Sequence, residues 1–537
     1  MVIIMFETRE NRLFEHRCAY AFFLFVCFCM FAILRVSVVS SGEEYAVMQK
    51  NQSAYRISLS RQRGTIYDTN MIPLTNNIKE KYVVIPPVTE AIMDVSSFLS
   101  GEEKIRVLNE LRENKIAVAK PQGKVNSSKI SKVEIYKTDE NDFYAEHIIG
   151  YTDASGHGVC GIERAYDDFL YRENTVDAVC EIDGKGNFLY GEMPRIENDL
   201  SGVLDGVRLT LDIKIQSIVK EKAKNLKKGA VVVCEAESGK IRAMESKPNF
   251  YLGDIAKSIN EDNSPMLNRT ITAFSVGSVF KPCVAISAIE SGFGNFTFNC
   301  TGKTHIIDRD FSCHQRSGHG IVDLKEAITY SCNTFFYNLG IKTGAEKIIS
   351  KASALNFGTS FKIADNYFVD GGNLTALKNL KNDAQVANLS IGQGDLMISP
   401  VSMLTLYMSI ANGGYYVLPS VVESTVTGGS QNEYKTAGKT RVMSKEIADI
   451  LKDDLKNVVL SGTGTEAMVE DLEVAGKTAT AQTGRYENGR EITNSWFCGF
   501  FPVSDPKYVV IVMSDGNTDV PVAPIFAEIA KEINLLT

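Results

Sequence analysis

Ser278-Val279-Phe280-Lys281 sets a hydroxyl and an amine three residues apart, directly after Gly277 and ahead of the apolar run Cys283 to Ile289, which stops at Gly292. On a helix, positions i and i+3 share a face, so the backbone itself would hold the two groups together. A serine alone is a poor nucleophile and needs an adjacent base. A lysine desolvated at the start of a buried helix has its pKa lowered and can be that base. The same spacing recurs in Ser217-x-x-Lys220 and Ser504-x-x-Lys507, which read as surface helix and loop. Ser278 differs from these in standing at an apolar helix start, where Pro282 suits the first turn.

Two further groups could complete a site. Ser331-Cys332-Asn333 lies between the helical segments Leu324 to Ile328 and Phe335 to Leu339. In a loop, side chains at i and i+2 can enter one cleft, where a second hydroxyl relays a proton and an amide holds a peptide. Helix capping is the bland alternative for the same residues. Gly476-Lys477-Thr478-Ala479-Thr480-Ala481-Gln482 reads as an edge strand. A lysine and a hydroxyl there could bind a terminal carboxylate, while the strand backbone pairs with an extended peptide. Lys342-Thr343-Gly344 and Lys435-Thr436-Ala437 repeat part of this pattern and read as solvated surface. Ser-x-x-Lys, then Ser-x-Asn, then Lys-Thr-(Gly), in that order, is the signature of serine enzymes that react with penicillin.

Such a site needs a scaffold, and 537 residues exceed what one hydrophobic core usually holds. A net charge of -8 without a basic cluster argues against a nucleic-acid partner. Cys18 to Leu34 carries no charge and follows Arg9, Arg12 and Arg17. This predicts a membrane anchor with its N-terminus cytoplasmic and the remainder exported, Arg35 snorkelling to the far interface. The alternative, a leader cleaved near Ser37 to Gly42, fits less well because the run exceeds an h-region of about 7–15 residues.

Of the 11 cysteines, three lie in the anchor and the rest are too scattered for a disulfide framework. Cys300 and Cys313 form the one candidate disulfide, whose loop closure is worth about 3 kcal/mol. With His314 and His319 they also hint at zinc, but the pattern lacks the Cys-x-x-Cys half of a zinc knuckle, so disulfide or free thiols are favoured.

The chain after the anchor opens with a β-like run, Ser60 to Asp68, and is mixed and charge-rich from Asn76 to Asp205, with a polar stretch from Lys120 to Lys137. From Gly229 the texture changes: Ala230 to Cys234 and Ile241 to Met244 flank a hairpin turn, and Trp496 to Phe501 and Tyr508 to Met513 are apolar strands near the far end. Ile213 to Lys224 and Phe526 to Leu535 have helical spacing. Strands at both ends with helices between predict one antiparallel sheet built from sequence-distant pieces and covered by helices, an α+β fold.

Further landmarks make the chain recognisable. Arg63-Gly64-Thr65-Ile66-Tyr67-Asp68, His147-Ile148-Ile149-Gly150-Tyr151 with Gly161-Ile162-Glu163, Asn268-Arg269, His319 to Leu324, Gly392-Gln393-Gly394, Ser399-Pro400 and Ala411 to Gly414 occur in order. Together with the three motifs they resemble the class B (monofunctional) penicillin-binding proteins, peptidoglycan D,D-transpeptidases, over nearly the whole chain after the anchor. The resemblance implies a cytoplasmic tail (1–17), a transmembrane helix (18–39), a mixed pedestal domain (40–215) and a transpeptidase domain of serine β-lactamase-like fold (216–537).

It also implies roles. Ser278 would be the nucleophile, Lys281 its base, Ser331 a proton relay and Asn333 a substrate-amide ligand. Lys477 and Thr478 would bind the substrate carboxylate, and the backbone N–H groups of Ser278 and Thr480 would form the oxyanion hole. Ala479 and Gln482 would line the substrate strand. No metal or cofactor is expected. The implied partners are stem peptides ending in D-alanyl-D-alanine, β-lactams, the membrane and a glycosyltransferase that polymerises glycan. One departure is Ala479, where the family has glycine; its methyl would crowd ligands over the strand and alter β-lactam affinity. The alternatives are a non-catalytic morphogenesis scaffold or β-lactam sensor, or a carboxypeptidase or β-lactamase of the same fold.

Overall fold

The computed structural model describes residues 2–41, 54–140, 143–183, 185, 188–189, 193–197, 205–377, 380–434, 438–487, 489–516 and 520–536. The chain forms two compact units, one from residues 1–61, 80–135 and 174–201, the other from 62–79, 136–173 and 202–537. The division is interleaved: segments 62–79 and 136–173, read from the sequence as pedestal, pack within the C-terminal unit.

Helix α1 (Val2–Ser41) contains the stretch Phe14–Val38, which is long and apolar enough to cross a membrane and has no buried residue. Its 25 residues reach about 37 Å at 1.5 Å per residue, against a hydrocarbon core of about 30 Å. Elsewhere in the first unit, strand Ile78–Ile85 lies between Ala117–Ala119 and Ser131–Lys137. Val83, Val84 and Ile85 share a core with Val95 and Phe98 of helix Thr89–Phe98 and Val107 and Leu111 of helix Gly101–Arg112. Strand Ser131–Lys137 falls in the stretch that looked merely polar. Its buried Val133 and Ile135 alternate with exposed Lys132 and Glu134, a period-two pattern that charge content hides.

The second unit is built on five strands: β1 (Gly229–Glu235), β2 (Ile241–Lys247), β3 (Ala475–Glu487), β4 (Arg490–Phe501) and β5 (Tyr508–Ser514). They form one antiparallel sheet in the order β2-β1-β5-β4-β3, so the first and last strands of this sheet in chain order are direct neighbours, Val232 opposite Ile511. The uninterrupted apolar run of β1 follows from burial on both faces. Val232 and Cys234 join a core with helices α2 (Lys281–Glu290), α3 (Leu324–Thr329), α4 (Asn333–Thr343), α5 (Pro400–Ala411) and α6 (Lys445–Leu460). Val231 and Val233 join another with α7 (Val522–Asn534) and helix Ile213–Lys222.

All twelve residues of α5 are buried. Its polar side chains are satisfied internally: Thr405 donates to Leu355 O at 2.8 Å and Ser409 to Thr405 O at 2.6 Å.

Two sequence landmarks meet in this unit. Arg63 pairs with the buried Glu163 carboxylate, and its guanidinium also reaches Asp167 Oδ1 at 2.8 Å, Gly156 O at 2.9 Å and Glu163 O at 2.7 Å. Removing one partner strands a buried charge, so Arg63→Ala is expected to cost about 3–5 kcal/mol in denaturant unfolding of the detergent-solubilised chain. The double change Arg63→Met, Glu163→Leu is expected to restore most of that loss.

Candidate active site

Gly277–Phe280 is a short 3-10 turn that runs into α2. Gly277 has φ +62, and a Cβ there would stand 3.2 Å from the Ala481 Cβ of β3. Its N–H donates to Gly392 O at 2.9 Å, and Gly392 in turn has no room for a Cβ, which would lie 2.0 Å from Gly277 O. Glycine is therefore required on both sides of this crossing. The Tyr407 hydroxyl of α5 donates to Val279 O at 3.0 Å and Trp496 Nε1 of β4 to Ser275 O at 2.9 Å, which fixes the turn carrying Ser278 from two directions.

Ser278 is half-buried and Lys281 is fully buried. The Lys281 amine donates to Ser331 O at 2.7 Å, Ser331 Oγ at 3.1 Å and Asn333 Oδ1 at 2.8 Å, and lies 5.2 Å from the centre of the Phe336 ring. Ser331 and Asn333 both reach it because the link from α3 to α4 is a single tight turn. Ser331 N–H donates to Ile328 O at 3.2 Å and Cys332 N–H to Ala327 O at 2.9 Å, while Ser331 holds φ +55, a left-handed conformation that is strained for a residue with a Cβ. Burial pulls the Lys281 pKa down to about 7.

Lys477 is fully buried on edge strand β3, opposite Cys498, and its amine donates to Thr478 O at 3.1 Å. Burial, and then repulsion from Lys281, hold its pKa well below the usual lysine range. The Thr478 hydroxyl shares a hydrogen bond of 2.7 Å with Thr463, a residue the sequence did not single out because its only signal is a turn rich in Gly and Thr after α6. Thr480 is exposed, as is Gln482, whose amide donates to Glu491 Oε2 of β4 at 2.6 Å. Side chains alternate along a strand, and Ala479 falls on the inner face with Lys477 and Ala481. Only 7 % exposed and part of the apolar core, its methyl is turned inward, which corrects the expectation that it crowds ligands over the outer face.

Two other expectations change. Thr343 is buried in α4, where it donates to Leu339 O at 2.8 Å, so that Lys-Thr-Gly is a helix end and not solvated surface throughout. Lys435-Thr436-Ala437 lies outside the described residues. Cys300 and Cys313 are not disulfide-bonded; both thiols face a common point with Cys332 Sγ and His319 Nδ1, the four ligand atoms within 4.8 Å of one another. Cys332 escaped notice because it was read as the spacer of the Ser-x-Asn motif.

Residues 229–533 match the family described as "Penicillin binding protein transpeptidase domain". Stage V sporulation protein D of Bacillus subtilis is 27% identical over 514 residues, covering 88% of this chain and 77% of that protein. The peptidoglycan D,D-transpeptidase MrdA of Acinetobacter baumannii is 24% identical over 531 residues, covering 84% of this chain and 77% of the relative. Among solved structures, penicillin-binding protein 3 of Mycobacterium tuberculosis in complex with aztreonam superposes with a TM-score of 0.65 at 23% identity, covering 89% of this chain and 96% of that one, which establishes the fold. With the three motifs gathered on one antiparallel sheet and its helices, this chain belongs to the penicillin-binding proteins, in class B.

Proposed function

We propose that this chain cross-links peptidoglycan through an acyl-enzyme on Ser278, and the observation that carries the reading is the buried Lys281 amine held against Ser331 and Asn333. Ser278 Oγ attacks the carbonyl of the penultimate D-alanine while Lys281 takes its proton. The peptide C–N bond then breaks, and Ser331 passes a proton to the departing D-alanine amine. The Asn333 amide holds the stem peptide and orients Lys281. Lys477 and Thr478 receive the terminal carboxylate, whose negative charge opposes the burial and the Lys281 repulsion that lower the Lys477 pKa. The N–H groups of Ser278 and Thr480 face the developing oxyanion. An amine of a neighbouring stem finally takes the acyl group and frees Ser278.

A β-lactam follows the same first step and leaves Ser278 acylated. Relatives named as peptidoglycan D,D-transpeptidases and a structural neighbour solved with aztreonam support this reading. The apolar stretch Phe14–Val38 anchors the chain, with the basic flank of Arg9, Arg12 and Arg17 in the cytoplasm and the catalytic unit outside. A membrane glycosyltransferase supplies the glycan strands that it joins.

Intact-mass analysis after incubation with a labelled penicillin is expected to show one adduct, absent in Ser278→Ala. Lys281→Ala is expected to slow acylation by about 10²-fold or more, the usual contribution of a general base. An adduct elsewhere, or none on folded protein, would overturn the assignment.

Lys281 must be neutral to accept a proton, so with its pKa at about 7 acylation should rise with pH through that value and level off above it. Below it the rate should fall about tenfold per unit. A flat profile between pH 5.5 and 8.5, measured as initial acylation rate, would exclude Lys281 as the base.

Because the Ala479 methyl is buried, Ala479→Gly is expected to lower stability by about 0.5–1 kcal/mol in thermal unfolding. Acylation by several β-lactams should change by less than about threefold, or about 0.7 kcal/mol.

A further inference from the structure

We propose that Cys300, Cys313, His319 and Cys332 bind one Zn²⁺ ion, and that this ion holds Ser331-Cys332-Asn333 in place beside Lys281. The spacing of the ligand atoms fits a closed tetrahedral site. Zn–S bonds of 2.3 Å and a Zn–N bond of about 2.05 Å give S···N edges of about 3.5 Å. Cys300 Sγ and Cys313 Sγ stand 3.5 Å and 3.6 Å from His319 Nδ1, and all four ligand atoms fall within 4.8 Å of one another. Three thiols with one imidazole are a soft donor set, which suits zinc and not magnesium or calcium. All three cysteines are at most 1 % exposed and His319 is half-buried, so the thiols converge inside the protein with the imidazole closing the site from its edge.

The chain around the site gives the ion a structural task. Residues 298–322 form two small ladders, Phe298–Cys300 with Gly320–Val322 and Lys303–Ile306 with Arg309–Ser312. Both are largely exposed, with Ile321 75 % exposed, and two-stranded ribbons of this kind are marginal without a staple. This excursion supplies three of the ligands. The fourth, Cys332, sits between the two residues that hold the Lys281 amine, just after the left-handed Ser331. A Zn–S bond at Cys332 ties the excursion to the N-terminus of α4 and resists relaxation of that strained turn.

A disulfide between any two of the thiols would leave the third beside an unused imidazole. On binding, the thiols release their protons to solvent and no redox partner is needed. The existence of the metal site is independent of the function proposed above, whereas its positioning role rests on that function.

The test uses the full chain purified in detergent from zinc-replete cells. Elemental analysis is expected to find about one zinc per chain, and Cys300→Ser with His319→Gln to remove it. Cobalt substitution of the wild type should give the charge-transfer band of thiolate ligation. Extraction of zinc from the wild type by a strong chelator should lower the unfolding temperature and slow penicillin acylation by about tenfold or more, with recovery on adding Zn²⁺ alone. The chelated wild type keeps the test decisive if the variant does not fold.

Wild-type protein that carries no zinc, or that loses zinc with unchanged melting and acylation, overturns the metal site or its positioning role respectively. Normal acylation of Ser278 in a zinc-free chain would sink the positioning role and leave the proposed function standing. Zinc bound to a chain that penicillin never acylates would do the reverse.

Discussion

An ammonium group is costly to remove from water, and here one is removed completely without a carboxylate beside it. The Lys281 amine is caged by a backbone carbonyl, a hydroxyl and a side-chain amide, all uncharged acceptors. The site resolves the conflict by favouring the neutral amine, which is the form a base must have. Lys477, buried nearby with its amine on Thr478 O, has its pKa lowered by the same burial and, beyond that, by repulsion from Lys281.

Much of the surrounding structure serves to hold that cage at strained or crowded geometry. Gly277 and Gly392 cross where no side chain fits, Ser331 is held at φ +55, and Tyr407 and Trp496 contribute buried polar tips to the backbone around Ser278. The glycine crossing and the Tyr407 and Trp496 hydrogen bonds join segments far apart in the chain. The serine turn is therefore positioned by the closure of the whole sheet, in which β1 pairs with β5 across nearly the full length of the unit. The helix bearing Tyr407 is buried along its entire length because it packs in the core against the sheet strand that carries Val232 and Cys234.

Local patterns made much of this legible. The apolar strands of the sheet, the amphipathic C-terminal helix, the anchor and the Ser278–Lys281 pairing all depend on neighbours within a few residues, so periodicity and motif spacing revealed them. Strand Ser131–Lys137 was hidden because charges occupied its outer face, and Thr463 because nothing in a Gly-Thr turn marks which hydroxyl it will meet. Ala479 was identified as a departure from the family pattern, but the direction of its methyl depends on which face of β3 is buried, and that is set by pairing with Trp496.

The sequence alone determined the chemistry: a serine one helical turn from a lysine, the order of the three motifs and an apolar stretch that predicts an anchor, since these are properties of adjacent residues and of composition. Only the tertiary structure decided how the distant pieces meet. It interleaved segments 62–79 and 136–173 with the catalytic unit, turned Ala479 inward and brought Cys332 to Cys300, Cys313 and His319. The physical reason is that helical and strand periodicities are fixed by backbone geometry over a few residues, whereas contacts between segments separated in sequence follow from how the sheet and its helices bury their faces.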